Sequence, residues 1–312
     1  MRILIVGAGA IGGYFGGRLL EAGRDVTFLV RPRRAEQLRH AGLRVRSPKG
    51  DIHIPSPPTV LAGHVSRPFD LILLSCKAYD LESAIESFAP AVGPQSAILP
   101  LLNGMRHLDV LEGRFGANAV LGGHCLISTW LDAEGRIQHL NDTHLLTFGE
   151  RNGARSARVD AIHAQLAAGR FDTVLSEAIL AEMWEKWIFI ATLAGMSCLM
   201  RASLGDIVTA GGGDLSLALR DECVEIAKAA GFAPREAAVH RITAAITHAG
   251  STLSASMLRD IERGARTEGD HILGDLLRRA PGNTRPLSML RLAYTHVKAY
   301  EARMAREAPA AR

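Results

Sequence analysis

Six residues near the start of the chain, Gly7-Ala8-Gly9-Ala10-Ile11-Gly12, have the composition of a loop that carries an anion. They follow a short β-branched stretch and lead into a helical pattern, the context that gives a G-x-G-x-x-G spacing its meaning. Gly7 permits a tight turn, Gly9 lets backbone approach a pyrophosphate, and Gly12 lets the helix lie against the strand. The N–H groups of Ala10, Ile11 and Gly12 at the helix start face the charge. A glycine-rich turn that binds nothing is the plain alternative, but helical glycines cost roughly 1 kcal/mol each and need some compensation. Where an acidic residue after the second strand would accept the ribose hydroxyls of NAD, this chain has Arg31, with Arg33 and Arg34 behind it. A guanidinium pairs bidentately with phosphate, so NADP is expected over NAD; for Arg33 and Arg34 a solvated basic face is the other reading.

Four further places could carry chemistry, and each has an ordinary reading beside the functional one. Lys77 follows an apolar strand at the edge where open α/β sheets bind ligands; it reads as cofactor-facing or as a surface lysine. Asn103-Gly104, after Leu99-Pro100-Leu101-Leu102, is a site loop or a plain turn. Lys186 interrupts a helix whose neighbours Met183, Trp184, Trp187, Ile188, Phe189 and Ile190 are apolar. Desolvation there would lower its pKa toward a range suited to a general acid that protonates an alkoxide as hydride arrives, whereas an i,i+4 salt bridge to Glu182 is the alternative. Residues 256–268, from Ser256 to Glu268, are rich in hydrogen-bonding groups without a simple amphipathic period. A substrate-facing loop fits, although Thr267 or Glu268 could instead cap the helix near Asp270. The 12 histidines show no metal-ligand spacing, so no metal is expected.

Such residues need a scaffold. Strands are predicted at 2–6, 26–30 and 71–74, the last after a Pro68-Phe69-Asp70 turn, with helices at 14–22 and 34–41. Two more strands, 97–99 and 120–121, extend a parallel, doubly wound sheet. Short strands within 127–148 about a Glu134-Gly135 turn suggest an antiparallel extension that ends near Val174. Beyond Ser176 the period is helical at 178–200, 215–230, 235–248, 270–279 and 285–306. The expected fold is α/β: a Rossmann-like dinucleotide-binding domain over residues 1–176, then an all-α domain over 177–312 that would complete the active site and whose apolar faces would suit a homodimer.

Composition narrows the classes. With 36 basic and 32 acidic side chains the net charge of +4 is small for 312 residues and gives no reason to expect a nucleic-acid partner. Cys76, Cys125, Cys198 and Cys223 lie far apart with no C-x-x-C pair, which points to a reducing, cytoplasmic compartment. Glycines interrupt the apolar N-terminus, against a signal peptide. The apolar run 187–200 falls short of the ~20 residues a bilayer requires and reads as a core helix, so no membrane role is expected.

Taken together, the chain resembles the ketopantoate reductase family over almost its full length. Gly7-x-Gly9-x-x-Gly12 with Gly16, Arg31, Lys77-Ala78-Tyr79, Asn103-Gly104-Met105, the Lys186 helix and the segment 256–268 occur in that family's order. The resemblance implies a Rossmann-like domain and a helical domain with substrate in the cleft between them. It also implies NADPH delivering hydride to a small-molecule 2-oxo acid, ketopantoate to pantoate in pantothenate biosynthesis being the family reaction. By the same resemblance Lys186 is the general acid, Glu268 its carboxylate partner and Ser256 a substrate contact. Asn103 lies near nicotinamide and substrate, and Lys77 at the cofactor. A lysine between an oxyanion and a carboxylate stabilises developing negative charge and supplies the proton, so these roles cohere. One departure stands out: one and two turns after the lysine, where the family places asparagines, this chain has Ile190 and Ala194. An unmatched substrate hydroxyl there costs about 1–3 kcal/mol, which suits a more apolar 2-oxo acid or another carbonyl compound. An NADP-binding regulatory protein without turnover is the remaining reading, against which stands the presence of both Lys186 and Glu268.

Overall fold

Ile3, Leu4, Ile5 and Val6 are apolar in succession and buried on both faces, as in the central strand of a parallel sheet. The computed structural model describes residues 1–282 and 288–307. It forms two units, Met1–Leu102 with His107–Ile179, and Asn103–Arg106 with the chain from Leu180 onward.

In chain order the first elements are β1 (Arg2–Val6), α1 (Ala10–Glu21), β2 (Asp25–Leu29), α2 (Pro32–Ala41), β3 (Leu43–Arg46), β4 (Ile52–Ile54) and β5 (Thr59–Val60). Next come β6 (Phe69–Leu74), α3 (Leu81–Phe88), β7 (Val92–Pro100), α4 (Arg106–Phe115), β8 (Gly122–Leu131), β9 (Ile137–Gly149), α5 (Ala157–Ala167) and β10 (Asp172–Leu175). One sheet has the order β5-β2-β1-β6-β7, all parallel, the Rossmann-like arrangement. The order reverses between β1 and β6, so the loops leaving their C-terminal ends open a crevice for a ligand. The expected turn at Pro68-Phe69-Asp70 is instead the start of β6, where Asp70 accepts the Arg2 N–H at 2.6 Å. The expected strand at 120–121 is reduced to one bridge, Val120 to Ile98, because a 3-10 turn at Ala117–Ala119 runs straight into β8.

The antiparallel extension is longer than its sequence suggested. β9 pairs with β8 along one edge and shares the other between β3, at Ile137 and Gln138, and β10, at Leu145 to Phe148. Asp132 fastens the hairpin turn: it accepts the backbone N–H of Arg136 and Arg136 Nε, both at 2.7 Å, and Gln138 Nε2 at 2.8 Å. Burial pushes this carboxyl up, but the donors outweigh it and hold it at about 2. A folded-state pKa below the unfolded value stabilises the fold above pH 3.8 and loses that contribution as pH falls through about 2. Between about pH 5 and pH 2 the unfolding midpoint of Asp132→Asn should therefore fall less steeply than that of the parent. Parallel curves in urea titrations across that range would refute it.

Helix α1 is held close on several sides, and its glycines are the reason. A Cβ on Gly13 would sit 2.4 Å from Ile137 Cδ1, and one on Gly16 2.6 Å from Phe28 Cε1. Between these glycines Tyr14 and Phe15 are fully buried, Phe15 edge-on to Phe171 at 4.9 Å and Tyr14 to His139 at 4.9 Å.

The second unit is helical, with no strand among the described residues: α6 (Ile179–Met200), α7 (Leu204–Thr209), α8 (Gly213–Ala229), α9 (Glu236–Ile246), α10 (Ser256–Glu262), a π-helical turn Asp270–Gly274 running into α11 (Asp275–Arg278), and α12 (Met289–Glu307). The helix expected over 285–306 opens at Met289; residues 283–287, Pro286 among them, lie outside the described residues. Glu222 of α8 caps it, accepting the N–H groups of Met289 at 2.8 Å and Leu290 at 3.0 Å. Inside α6, Thr192 and Ser197 bond to carbonyls one turn back, at 2.9 and 2.7 Å, so its buried hydroxyls have partners. No helix among the described residues is long and apolar enough to cross a membrane.

Candidate active site

The glycine loop lies between β1 and α1, where Gly7 takes the left-handed conformation at φ +95°. Gly12 admits no side chain, since a Cβ would fall 2.1 Å from Ser75 Oγ and 2.2 Å from the Gly7 carbonyl oxygen. Ser75, just beyond β6, donates to the carbonyls of Val6 at 3.0 Å and Gly7 at 3.2 Å, tying the two loops at the switch point. Gly9 is different: a Cβ there would meet no described atom within 4 Å, so the space before it is open. Gly9 is also the N-cap of α1 and brings no side-chain acceptor to the first turn, which contains no acidic residue. Ala10, Ile11 and Gly12 thus form a helix start suited to phosphate, and the loop fits a dinucleotide.

Arg31 and Arg34 take different parts. Arg31 is 70% exposed and pairs with Asp80 at 2.9 Å, which raises its pKa. Arg34 turns inward, against the expectation of a second phosphate-facing cation. Its Nε donates to the Ala8 carbonyl at 2.9 Å and its Nη1 to the Gly135 carbonyl at 3.0 Å, so it buttresses the glycine loop from behind. Lys77 is half-buried and stands at the residue before the 3-10 turn Ala78–Asp80 after β6, at the expected sheet edge.

Asn103, Lys186, Ser256 and Glu268 belong to the second unit. Lys186 is half-buried rather than buried, although Trp184 and Trp187 beside it are within the core. Its neighbour Glu185 is buried and accepts Arg235 Nε at 2.7 Å, Nη2 at 2.6 Å and N–H at 2.9 Å, which fixes that turn of α6 against the start of α9. Burial raises the Glu185 carboxyl, but the Arg235 bonds prevail and leave it below its usual value. Trp187 Nε1 donates to the Ile272 carbonyl at 2.9 Å, joining α6 to the π-helical turn that follows Glu268. Ser197 Oγ accepts the Ala255 N–H at 3.2 Å, joining α6 to the residue before Ser256. One helix therefore carries Lys186 and anchors the segments that bear Glu268 and Ser256.

The segment 256–268 is a loop only in its second half, residues 263–268; its first half is helical. Ser256 is exposed and opens α10, whose Met257, Leu258 and Ile261 are buried. Thr267 takes the capping part, accepting the Gly269 N–H at 3.1 Å and donating to Glu301 at 2.5 Å; Glu268 is buried. Ile190 is half-buried and Ala194 buried on α6.

Three residues escaped the sequence reading. Ser75 and Asp80 flank Lys77, and their signal was position after a β-strand. His271, three residues after Glu268, is buried beside Asn103. Burial lowers its pKa, opposed by the Glu268 and Asp275 carboxylates and by a hydrogen bond to the Asn103 backbone, while Arg106 adds to the lowering.

The sequence matches the family described as ketopantoate reductase PanE/ApbA over residues 3–153, and the C-terminal part of the same family over residues 178–301. The chain belongs to the ketopantoate reductase family. Among its family relatives, the Bacillus subtilis (strain 168) oxidoreductase YkpB is 38% identical over 303 residues, 97% of this chain and 99% of that one. A solved 2-dehydropantoate 2-reductase from Geobacter metallireducens GS-15 has a TM-score of 0.87 at 26% identity, over 96% of this chain and 99% of that one. The ternary structure of D-mandelate dehydrogenase with NADH and anilino(oxo)acetate shares the fold, with a TM-score of 0.87 at 21% identity over 98% and 100% of the two chains. Like its family, this ketopantoate reductase relative is an oxidoreductase.

Proposed function

We propose that this protein reduces a 2-oxo acid to the corresponding 2-hydroxy acid with NADPH as the donor. The observation that carries the reading is the glycine loop: Gly12 has no room for a side chain, while the space at Gly9 is open, as a pyrophosphate cradle requires. Bound there, the cofactor supplies hydride to the keto carbon. The α1 N-terminus holds the phosphates, Arg31 binds the 2′-phosphate and Lys77 contacts the cofactor. Asn103 and Ser256 hold the substrate. Lys186 donates a proton to the carbonyl oxygen as charge develops on it, and Glu268 balances the ammonium beforehand. Ile190 and Ala194 replace two amides with hydrocarbon, which favours an acid more apolar than ketopantoate over ketopantoate itself.

The test is cofactor oxidation by the purified protein against a panel of 2-oxo acids, ketopantoate included, with NADPH and NADH in parallel. Turnover is expected with NADPH and at least one apolar 2-oxo acid. Arg31→Ala should cut the preference for NADPH over NADH by about 10–100-fold, the worth of one charge-assisted hydrogen bond at about 1.5–3 kcal/mol. Equal turnover with the two cofactors would refute the assignment of Arg31. Tight NADPH binding without oxidation across the panel would replace the enzyme by a binding protein.

A further inference from the structure

The residues Asn103–Arg106 follow from a strand of the first unit yet group with the second, and one buried side chain of that unit bonds to them. His271 is buried on the π-helical turn Asp270–Gly274, and its ring hydrogen-bonds the Asn103 backbone. Gly104 takes φ +79°, and a Cβ there would come within 3.0 Å of His271 Cδ2 and of the His271 carbonyl oxygen. The loop is thus pressed against the imidazole, in a backbone conformation that glycine adopts without strain. The groups facing the ring are Glu268 on the same segment, Asp275 at the start of α11, and Arg106 at the start of α4. The π-helical turn places the imidazole three residues after Glu268, and Trp187, next to Lys186, grips the same turn through the Ile272 carbonyl at 2.9 Å. Single π-helical turns inside helices are frequent at functional sites.

We propose that His271 is a positioning residue: by holding the Asn103 backbone and packing against Gly104, it sets the Asn103 side chain for substrate in register with the Glu268 turn. This rests on the reading of Asn103 as a substrate contact. A buried imidazole suits the task, because one ring nitrogen donates to the loop while the rigid ring fills the space beneath Gly104.

The experiment pairs amide hydrogen exchange on the full chain without ligands with steady-state kinetics. His271→Phe keeps the ring bulk and removes the donor. In it, exchange at 103–106 should accelerate by more than about tenfold. Turnover kcat/KM for the 2-oxo acid should fall on the order of 10- to 100-fold, as for a displaced substrate contact, with KM for NADPH unchanged. Either His271→Asn, which reaches as far as Nδ1, or His271→Gln, which reaches as far as Nε2, should restore both readouts. In an Asn103→Ala background His271→Phe should cost nothing more, since residues that act through one another are not additive. Unchanged loop exchange, or losses that multiply in the double variant, would overturn the proposal. Faster exchange with unaltered turnover would overturn it too, whereas parent-like turnover of Asn103→Ala alone would remove Asn103 from the reaction; the role given to Lys186 stands or falls on its own variant.

Discussion

Lys186→Ala is expected to lower kcat for 2-oxo acid reduction by about 10²–10⁴-fold, the usual worth of a general acid, with NADPH affinity unchanged. The fold should survive, because alanine is the strongest helix former and the lysine is only half-buried. That turn of α6 is fixed independently by Glu185 with Arg235 and by Trp187 with Ile272. Lys186→Arg separates proton donation from simple charge, since a guanidinium with a pKa above about 12 holds its protons and should restore little. Stopped-flow measurement of one turnover isolates the chemical step from product release. If alanine keeps more than a tenth of the parent rate, the proton comes from elsewhere.

The second large effect is expected at two glycines that look alike in sequence and differ in their surroundings. Gly12→Ala puts a Cβ 2.2 Å from the Gly7 carbonyl, a backbone atom with no freedom to swing aside. The loop must shift, at about 1–3 kcal/mol of stability. Dinucleotide affinity should fall on the order of 100-fold as phosphate contacts worth about 1.5–3 kcal/mol each are misaligned. Gly9→Ala meets no described protein atom within 4 Å, so its melting temperature should match the parent's. Its Kd for NADPH should nevertheless rise by more than about tenfold, because the methyl occupies space the ligand needs. Calorimetric titration beside thermal melts reads both quantities, and parent-like binding by Gly9→Ala would remove the cradle from the proposal.

What the sequence made legible was whatever local pattern controls. The apolar run of β1, the glycine spacing and the long helix α6 each announce themselves within a window of about twenty residues. The short strands β3, β4 and β5 do not. They hold four, three and two residues, and the small β3–β4 hairpin joins a sheet only where Val45 and Arg46 meet Ile137 and Gln138 far along the chain. Arg34 could not be told from Arg31 by type; only the carbonyls of Ala8 and Gly135 decide that one is structural and the other exposed. The first half of segment 256–268 hid a helix because its polar residues mask three buried apolar positions, Met257, Leu258 and Ile261, at helical spacing, whereas 263–268 is the loop the composition suggested. His271 had no sequence signal, since its meaning depends on Asn103, remote along the chain.

The packing of α1 has a consequence for how the chain emerges during synthesis. When residue 102 has left the ribosome, every strand of the parallel sheet has been made, and α1 can dock on it through Gly16 and Phe28. Gly17 meets Leu43 at the same stage, but the partners on the helix's other flank, Ile137, His139 and Phe171, have yet to emerge, as have β8, β9 and β10. At ~5–20 residues per second the helix bearing the cofactor loop therefore waits several seconds with an apolar flank exposed to water. A nascent chain stalled with residue 102 just outside the ribosome would be a natural client for a chaperone, and one stalled with residue 175 outside would not.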